Sequence, residues 1–128
     1  MKKMQGPIPM LRARDLRKTL TFYRDDLGMK LLGTWKHEGR TVWACLGSKD
    51  RDQVMLYAQG SQKGKESNYT IYYFKSYAVR ALHARLKRRG RKVSKLGVTV
   101  YGMREFYLKD PDGRELTFGQ PTSDPSDC

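Results

Sequence analysis

The sequence predicts an α+β fold made of two tandem βαβββ modules. A strand-helix-strand-strand-strand order of hydrophobic patterns occurs twice, at a period of about 60 residues, as expected for an internal duplication. Each helical pattern stops at a glycine, at Gly28 in the first repeat and at Gly90 in the second. A hairpin pattern over residues 101–118 then closes the second repeat.

The first module is predicted over residues 7–60. A strand over residues 8–14 is followed by Asp15, a suitable helix N-cap because a short acidic side chain accepts hydrogen bonds from the first backbone amides of a helix. Gly28 ends the helix, since glycine readily adopts the left-handed conformation found at helix ends. The helix itself is predicted from apolar residues that recur on one helical face, namely Leu16, Leu20, Tyr23 and Leu27.

Three strands complete the first module. They are predicted over residues 29–36, 41–46 and 53–58, with polar turns over residues 37–40 and 47–52 between them. Residues 60–67 carry no apolar side chain, which predicts a linker between the modules.

The second module is predicted over residues 68–120. It has a strand over residues 69–74, and residues 93–100 form a further strand or an irregular pair. The polar residues 121–128 are predicted to be a flexible tail. The helix between these strands is predicted from a second apolar face formed by Val79, Leu82 and Leu86.

The closing hairpin is predicted from its turn, Asp110-Pro-Asp-Gly113. Proline presets one backbone angle, aspartate accepts hydrogen bonds from nearby backbone amides, and glycine accepts a positive φ. On the second arm, Leu116 points one way and Thr117 the other, as in a half-buried antiparallel strand. One face of this hairpin is therefore expected to meet a core and the other a ligand or solvent.

The composition is strongly basic, with 26 Lys and Arg residues against 13 Asp and Glu, a formal net charge of +13. Such a charge favours anionic ligands and disfavours cationic ones. The densest basic run, residues 85–95, lies at the end of the second helix, where cations complement the helix dipole. A nucleic-acid contact by this run is the less favoured interpretation, because no aromatic residues are interleaved with it.

The chain is expected to be a soluble cytoplasmic protein. It has no apolar run of the ~20 residues that a membrane span needs, and residues 1–6 lack the apolar stretch of a signal peptide. Two cysteines, Cys45 within a strand and Cys128 at the end, do not make a disulfide framework. Reducing surroundings fit this pattern.

Two segments give the chain a resemblance to a known family. They are Leu11-Arg-Ala-Arg-Asp-Leu16 leading to Phe22-Tyr-Arg-Asp-Asp-Leu-Gly28, and Gly102-Met-Arg-Glu-Phe106 leading to the turn at residues 110–113. Together with the duplication they resemble the vicinal oxygen chelate superfamily of glyoxalase I, extradiol dioxygenases and bleomycin-resistance proteins. The resemblance implies one domain over residues 1–120, with curled mixed sheets around an open cavity and helices on the convex side. It also implies a homodimer.

In the metal-using members of that superfamily, four strands supply His, Gln or Glu ligands to a divalent cation. By resemblance, the four positions fall on Ile8, Met55 (or Tyr57), Ile71 and Thr117. None is a carboxylate or an imidazole, so no metal, no cofactor and no catalytic residue is predicted. His37 in a turn and His83 on a helix are interpreted as surface or helix-flank residues, and Cys45 as an inert thiol.

Strand alternation from these positions predicts which residues line the cavity. Packing of the interior by its own side chains is the alternative interpretation, against which Arg12 and Lys75 weigh, because an unpaired charge in a closed core is costly. Glu105, Glu115 and Gln53 are candidate partners for these cations. The predicted ligand-binding residues are Met10, Arg12, Trp35, Trp43, Met55, Tyr57, Tyr73, Lys75, Tyr107 and Thr117, with Trp35 on a strand of irregular alternation.

These residues predict a metal-independent binding protein, close in character to the bleomycin-resistance branch, that sequesters a neutral or anionic aromatic compound in a groove at a dimer interface. The alternative is a glyoxalase- or dioxygenase-like lyase or isomerase with a non-standard metal site, for which Glu105 or Glu115 is the candidate general base. No membrane partner is expected, and nucleic acid is a disfavoured one.

Overall fold

The computed structural model of the protein divides into two compact units, Met1–Lys63 and Gly64–Cys128, each with its own sheet. The predicted linker over residues 60–67 and the last four residues of the predicted tail lie outside the described residues. The interpretation of residues 1–120 as a single domain stays a prediction. The structure describes residues 8–48, 51–59 and 70–124.

The first unit has the predicted βαβββ order. Its sheet has the strand order β1-β4-β3-β2, in which β1 runs parallel to β4 and the other pairs are antiparallel. The elements are β1 (Met10–Ala13), α1 (Leu16–Thr21), a π-helical turn (Phe22–Asp26), β2 (Lys30–His37), β3 (Arg40–Ser48) and β4 (Arg51–Ala58).

The second unit repeats this order, with strands arranged β5-β8-β7-β6 and the parallel pair again formed by its first and last strands. The two units confirm the predicted α+β fold. The elements are β5 (Ile71–Lys75), α2 (Val79–Arg88), β6 (Gly97–Val98), β7 (Met103–Lys109) and β8 (Glu115–Pro121). Among the described residues, no helix has the length and apolar character needed to cross a bilayer.

The helix of the first unit begins and ends as predicted but changes its geometry midway. The Asp15 carboxylate accepts a hydrogen bond from the Lys18 amide at 3.3 Å, and Gly28 has a φ of 79°. The π-helical turn then buries two consecutive aromatic residues, Phe22 and Tyr23, completely. The apolar spacing that predicts the helix does not include Phe22, because a π turn contains an extra residue and therefore rotates the positions that follow it.

The other differences between the predicted and the observed elements lie at the ends of strands. The predicted turn over residues 37–40 narrows to Glu38 and Gly39, both with positive φ, so that His37 is the last residue of β2. Strand β3 extends to Ser48, through an irregularity in its pairing with β4 at Gly47. A side chain at Gly47 would overlap the Arg51 carbonyl oxygen, which explains the glycine there.

The core of the second unit is a stack of phenylalanines between the sheet and α2. The Phe118 ring stacks on Phe74 at 5.1 Å and on Phe106 at 5.4 Å between centroids. The His83 ring meets Phe106 edge-on at 5.0 Å, and its Nε2 lies 2.9 Å from the Ser94 carbonyl oxygen. Phe106 and Phe118 are buried, each contributing about 1.5–3 kcal/mol, so this stack fixes which face of the sheet the helix covers.

A buried glutamine on β8 completes the start of α2. Ala78, at the N-cap position, has no side chain that accepts a hydrogen bond. The fully buried Gln120 instead accepts a hydrogen bond from the Val79 amide at 2.9 Å and donates one to the Tyr77 carbonyl oxygen at 3.1 Å. A tertiary contact therefore replaces the local cap.

The hairpin between β7 and β8 is organised by Asp110. One carboxylate oxygen accepts hydrogen bonds from the amides of Asp112 and Arg114, both at 2.9 Å. The other oxygen accepts one from the Arg114 guanidinium at 3.0 Å, and both partners of this ion pair are buried. Gly113 has the positive φ, 88°, that the turn was predicted to need.

Candidate ligand-binding site

Six of the predicted ligand residues lie on one face of the first sheet. Along β1 and β4, the buried residues Leu11, Val54 and Leu56 alternate with less buried neighbours. The register between strands joins these neighbours into a row that crosses the whole sheet: Arg12, Tyr57, Trp43 and Trp35. The next row consists of Met10, Met55, Cys45 and Gly33.

This face is open at both of its edges. On β1, Met10 is 55% exposed, and on β2, Trp35 is 66% exposed. Between them, Trp43 and Tyr57 are half-buried, while Cys45 is buried. The irregular alternation of β2 arises from register shifts between Leu31 and Gly33 and after Trp35.

The other four predicted residues lie on the second sheet. Tyr73, Thr117 and Tyr107 are direct neighbours on β5, β8 and β7. Lys75 lies in the adjacent row beside Gly119, which in turn faces Glu105. Along each strand these side chains alternate with the stacked phenylalanines, which pack against α2. This face is therefore the one that α2 does not cover.

Glu105 holds two tyrosines on this face. Its carboxylate accepts hydrogen bonds from the Tyr73 hydroxyl at 2.7 Å and from the Tyr101 hydroxyl at 3.2 Å. The Tyr73 ring lies across Gly119, where any side chain would overlap the tyrosine hydroxyl. Glu105 was a candidate partner for Lys75, but its contacts show that it orients an aromatic ring instead.

Partial burial raises the pKa of Tyr73, and the hydrogen bond to Glu105 and the negative charge of that carboxylate raise it further. A raised tyrosine pKa means that the folded protein keeps a proton which the unfolded chain loses near pH 10. The resulting stabilisation is therefore present below about pH 10 and is lost as the pH rises through the folded-state pKa.

We expect the free energy of unfolding of the wild type to fall more steeply above about pH 10 than that of Tyr73→Phe, because phenylalanine has no proton to lose. Urea unfolding at a series of alkaline pH values measures this difference. In a spectrophotometric titration, the same substitution should remove one tyrosine whose ionisation lies above the ordinary range. Parallel pH profiles for the two proteins would contradict the expectation.

The four positions that the resemblance assigns to a cation hold side chains that do not suit one. Ile8 and Ile71 offer no donor atom, and the thioether of Met55 and the hydroxyl of Thr117 are poor ligands for hard cations. Glu115 lies directly across from Ile71 as a single carboxylate. In the parts of the chain that the structure describes, no group of three or more His, Cys, Asp or Glu residues could hold a metal ion.

A cavity of about 470 Å³ opens beside β7, within the second unit. It is lined by residues 90–94, which follow α2, by residues 107–109 of β7 and by Glu115. Tyr107 belongs both to the predicted face and to this cavity. This cavity was not predicted from the sequence, although part of its lining belongs to the basic run at residues 85–95.

A family model and solved structures match the chain. The model describes the Glyoxalase/Bleomycin resistance protein/Dioxygenase superfamily and matches residues 8–118. The structure is similar to that of lactoylglutathione lyase from Agrobacterium tumefaciens, with 20% identity, a TM-score of 0.69 and coverage of 93% of this chain and 96% of that chain. Among curated proteins, none matches this chain.

Two further solved structures are similar to this chain. TnmS3, an antibiotic binding protein from Streptomyces sp. CB03234, has 22% identity and a TM-score of 0.70, covering 94% of this chain and 99% of that chain. TioX from Micromonospora sp. ML1 has 17% identity and a TM-score of 0.73, covering 91% and 99%. At these identities the similarity shows a shared fold.

Proposed function

The chain belongs to the Glyoxalase/Bleomycin resistance protein/Dioxygenase superfamily, and from this premise we propose that it is a metal-independent binding protein for a neutral or anionic aromatic small molecule. The observation that carries the proposal is the row Arg12, Tyr57, Trp43 and Trp35 across the first sheet. Three adjacent aromatic side chains beside one cation form a surface on which a planar ligand stacks and is oriented.

The exposure of the predicted ligand residues favours ligand binding over packing of the interior by its own side chains. In a closed core these side chains would be buried, yet Met10 and Trp35 on the first sheet and Tyr73 and Tyr107 on the second are between 45% and 66% exposed. On each sheet these side chains lie on one face, and exposed aromatic and methionine side chains on one face of a sheet are typical of a surface that another molecule covers. The proposal assigns that role to the ligand.

Three further facts support the details of the proposal. The poor donor set at Ile8, Met55, Ile71 and Thr117 supports metal independence. The net charge of +13 favours a neutral or anionic ligand over a cationic one. The similarity in fold to an antibiotic binding protein is consistent with a sequestering role.

The proposal includes assembly and location. We propose that two copies of the chain form a homodimer and hold the ligand in a groove at their interface. Homodimers are common in this superfamily. The two cysteines, which do not make a disulfide framework, favour the cytoplasm. Sedimentation equilibrium of the purified protein, with and without ligand, tests the dimer, and a monomer in both samples would contradict it.

A thermal-shift screen against neutral and anionic aromatic compounds tests the binding role. A ligand at a hundred times its Kd should add about 2.7 kcal/mol to the stability of the wild type. The same compounds should not stabilise Trp43→Ala, which removes the central ring of the row. Tyr77→Ala is the matched control, because Tyr77 is an 81% exposed aromatic residue outside the strands, and it should keep the full shift.

Two outcomes would overturn the proposal. The first is the absence of any stabilising compound across a broad aromatic library. The second is a stoichiometric amount of zinc, nickel, manganese or iron in protein purified without a histidine tag, measured by elemental analysis. That result would contradict metal independence and favour a lyase or isomerase of the glyoxalase type.

A further inference from the structure

We infer that the cavity beside β7 receives the acidic group of the ligand, so that the ligand class is the aromatic anions. The inference rests on the proposed function and narrows it, since the exposed rows alone suit neutral and anionic compounds equally. The cavity supplies the selection by charge, because part of its lining comes from the basic run that follows the second helix.

The charge of the cavity lining favours an anion. Arg91, Lys92 and Lys109 line it, together with the single carboxylate of Glu115. Lys109 and Glu115 are direct neighbours across the β7–β8 ladder, where opposite charges attract. Three cationic residues against one carboxylate leave the lining with an excess of positive charge, which attracts anions to the cavity.

The end of α2 directs these two cations to the cavity. The Gly90 amide donates to the Lys87 carbonyl oxygen at 3.0 Å, and the Arg91 amide donates to the Leu86 carbonyl oxygen at 2.9 Å. With a φ of 78° at Gly90, this is the arrangement of a glycine-ended helix, after which the chain leaves the helix axis. The basic run is thus divided: its first part stays on α2, and its second part lines the cavity.

The wall that carries Arg91 and Lys92 is anchored to β7. The Ser94 amide donates to the Tyr107 carbonyl oxygen at 2.9 Å, and the Ser94 hydroxyl accepts a hydrogen bond from the Tyr107 amide at 2.8 Å. His83 adds a contact to the Ser94 carbonyl oxygen from the helix side. A wall fixed in this way loses little conformational entropy when a ligand binds.

Tyr107 links the cavity to the aromatic row of the second sheet. It lies in the row with Thr117 and Tyr73 and also lines the cavity. A ring stacked on Tyr107 therefore places an acidic substituent within reach of the basic lining. The volume of about 470 Å³ lies within the range of roughly 300–1,000 Å³ typical of small-molecule pockets.

Fluorescence titration with two matched probes tests the inference. The anionic probe is 8-anilinonaphthalene-1-sulfonate, and the neutral probe is N-phenyl-1-naphthylamine, which has the same rings without the sulfonate. We expect the wild type to bind the anionic probe more tightly. The double variant Arg91→Gln/Lys92→Gln should weaken anionic-probe binding by about tenfold, the effect of losing charge-assisted contacts, and should leave neutral-probe binding unchanged.

The control is Lys87→Gln/Arg88→Gln, which removes the same two charges from exposed positions on α2 outside the cavity. It should retain nearly the wild-type affinity for both probes, and unchanged thermal unfolding should verify that both double variants fold. Equal loss of the anionic probe in the two double variants would show a net-charge effect and overturn the inference.

The remaining outcomes separate this inference from the proposed function. If both probes bind the wild type equally and neither responds to Arg91→Gln/Lys92→Gln, the cavity does not select anions, while the aromatic face still binds. If neither probe binds and no aromatic compound stabilises the protein, the proposed function fails and the inference fails with it. Retention of nucleic acid at physiological salt that both double variants abolish would instead assign the basic run to a different partner.

Discussion

Replacing Asp110 with alanine is expected to lower the free energy of unfolding by about 3–5 kcal/mol, the cost of leaving one partner of a buried ion pair uncompensated. Arg114 is 7% exposed and would keep its charge without the carboxylate that now lies 3.0 Å from it. The carboxylate of Asp112 also forms an ion pair with Arg114, at 3.7 Å, which is too long for a hydrogen bond. The backbone amides of the turn would lose their acceptor as well.

Chemical denaturation of Asp110→Ala and Asp25→Ala measures this cost against a matched control. Asp25 forms the same type of ion pair with Arg24 at 2.8 Å, but both side chains of this pair are about 40% exposed. An exposed pair contributes less than about 1 kcal/mol, so Asp25→Ala should change stability little. Similar small losses in both variants would contradict a structural role for the Asp110–Arg114 pair.

A third variant separates the charge from the turn. Replacing both partners, as in Asp110→Asn/Arg114→Leu, removes the uncompensated charge while an acceptor oxygen remains for the backbone amides. Because apolar replacement of a buried ion pair is often close to neutral, this variant should recover part of the stability that Asp110→Ala loses. A double variant no more stable than the single one would assign the loss to the turn.

The features that local chemistry decides were predicted from the sequence. The turn at residues 110–113 was predicted because proline, aspartate and glycine each fix a backbone angle or a hydrogen bond within a few residues. The faces of the strands were predicted because side chains alternate with a period of two, so the orientation that the resemblance implied for Ile8 and Ile71 fixes that of the others. Met10, Arg12, Met55 and Tyr57 accordingly lie on one face.

The features that depend on distant parts of the chain were not predicted. The π-helical turn that buries Phe22 has no signal in a pattern of helical spacing. The partners of Glu105 depend on the register of β5, β8 and β7, which brings Tyr73 within 2.7 Å of it. The cavity depends on the path of residues 90–94 beside β7.

The replacement Gly119→Ala is expected to destabilise the protein by about 1–3 kcal/mol, the usual cost of overpacking, and to weaken ligand binding. Gly119 lies between Lys75 and Glu105 in the second sheet, and the Tyr73 ring occupies the space above it. The added methyl group overlaps the Tyr73 hydroxyl, so the ring must leave Glu105 and its place on the face.

Gly97→Ala is the control for this replacement, because a side chain at Gly97, on β6 of the same sheet, meets nothing within 4 Å. It should change stability by less than about 0.5 kcal/mol. Comparing the two glycines separates the steric effect of the Tyr73 ring from the general effect of alanine in a strand.

A double-mutant cycle tests whether the Tyr73 ring is the cause. In a Tyr73→Ala background the overlap is absent, so adding Gly119→Ala should cost less than about 0.5 kcal/mol, and the difference from its cost in the wild type is the coupling between the two residues. Additive effects would mean that the cost arises in the β8 backbone. Strong coupling, together with lost ligand affinity in Gly119→Ala and in Tyr73→Ala, would show that the Tyr73 ring needs a glycine at position 119 to keep its place on the binding face.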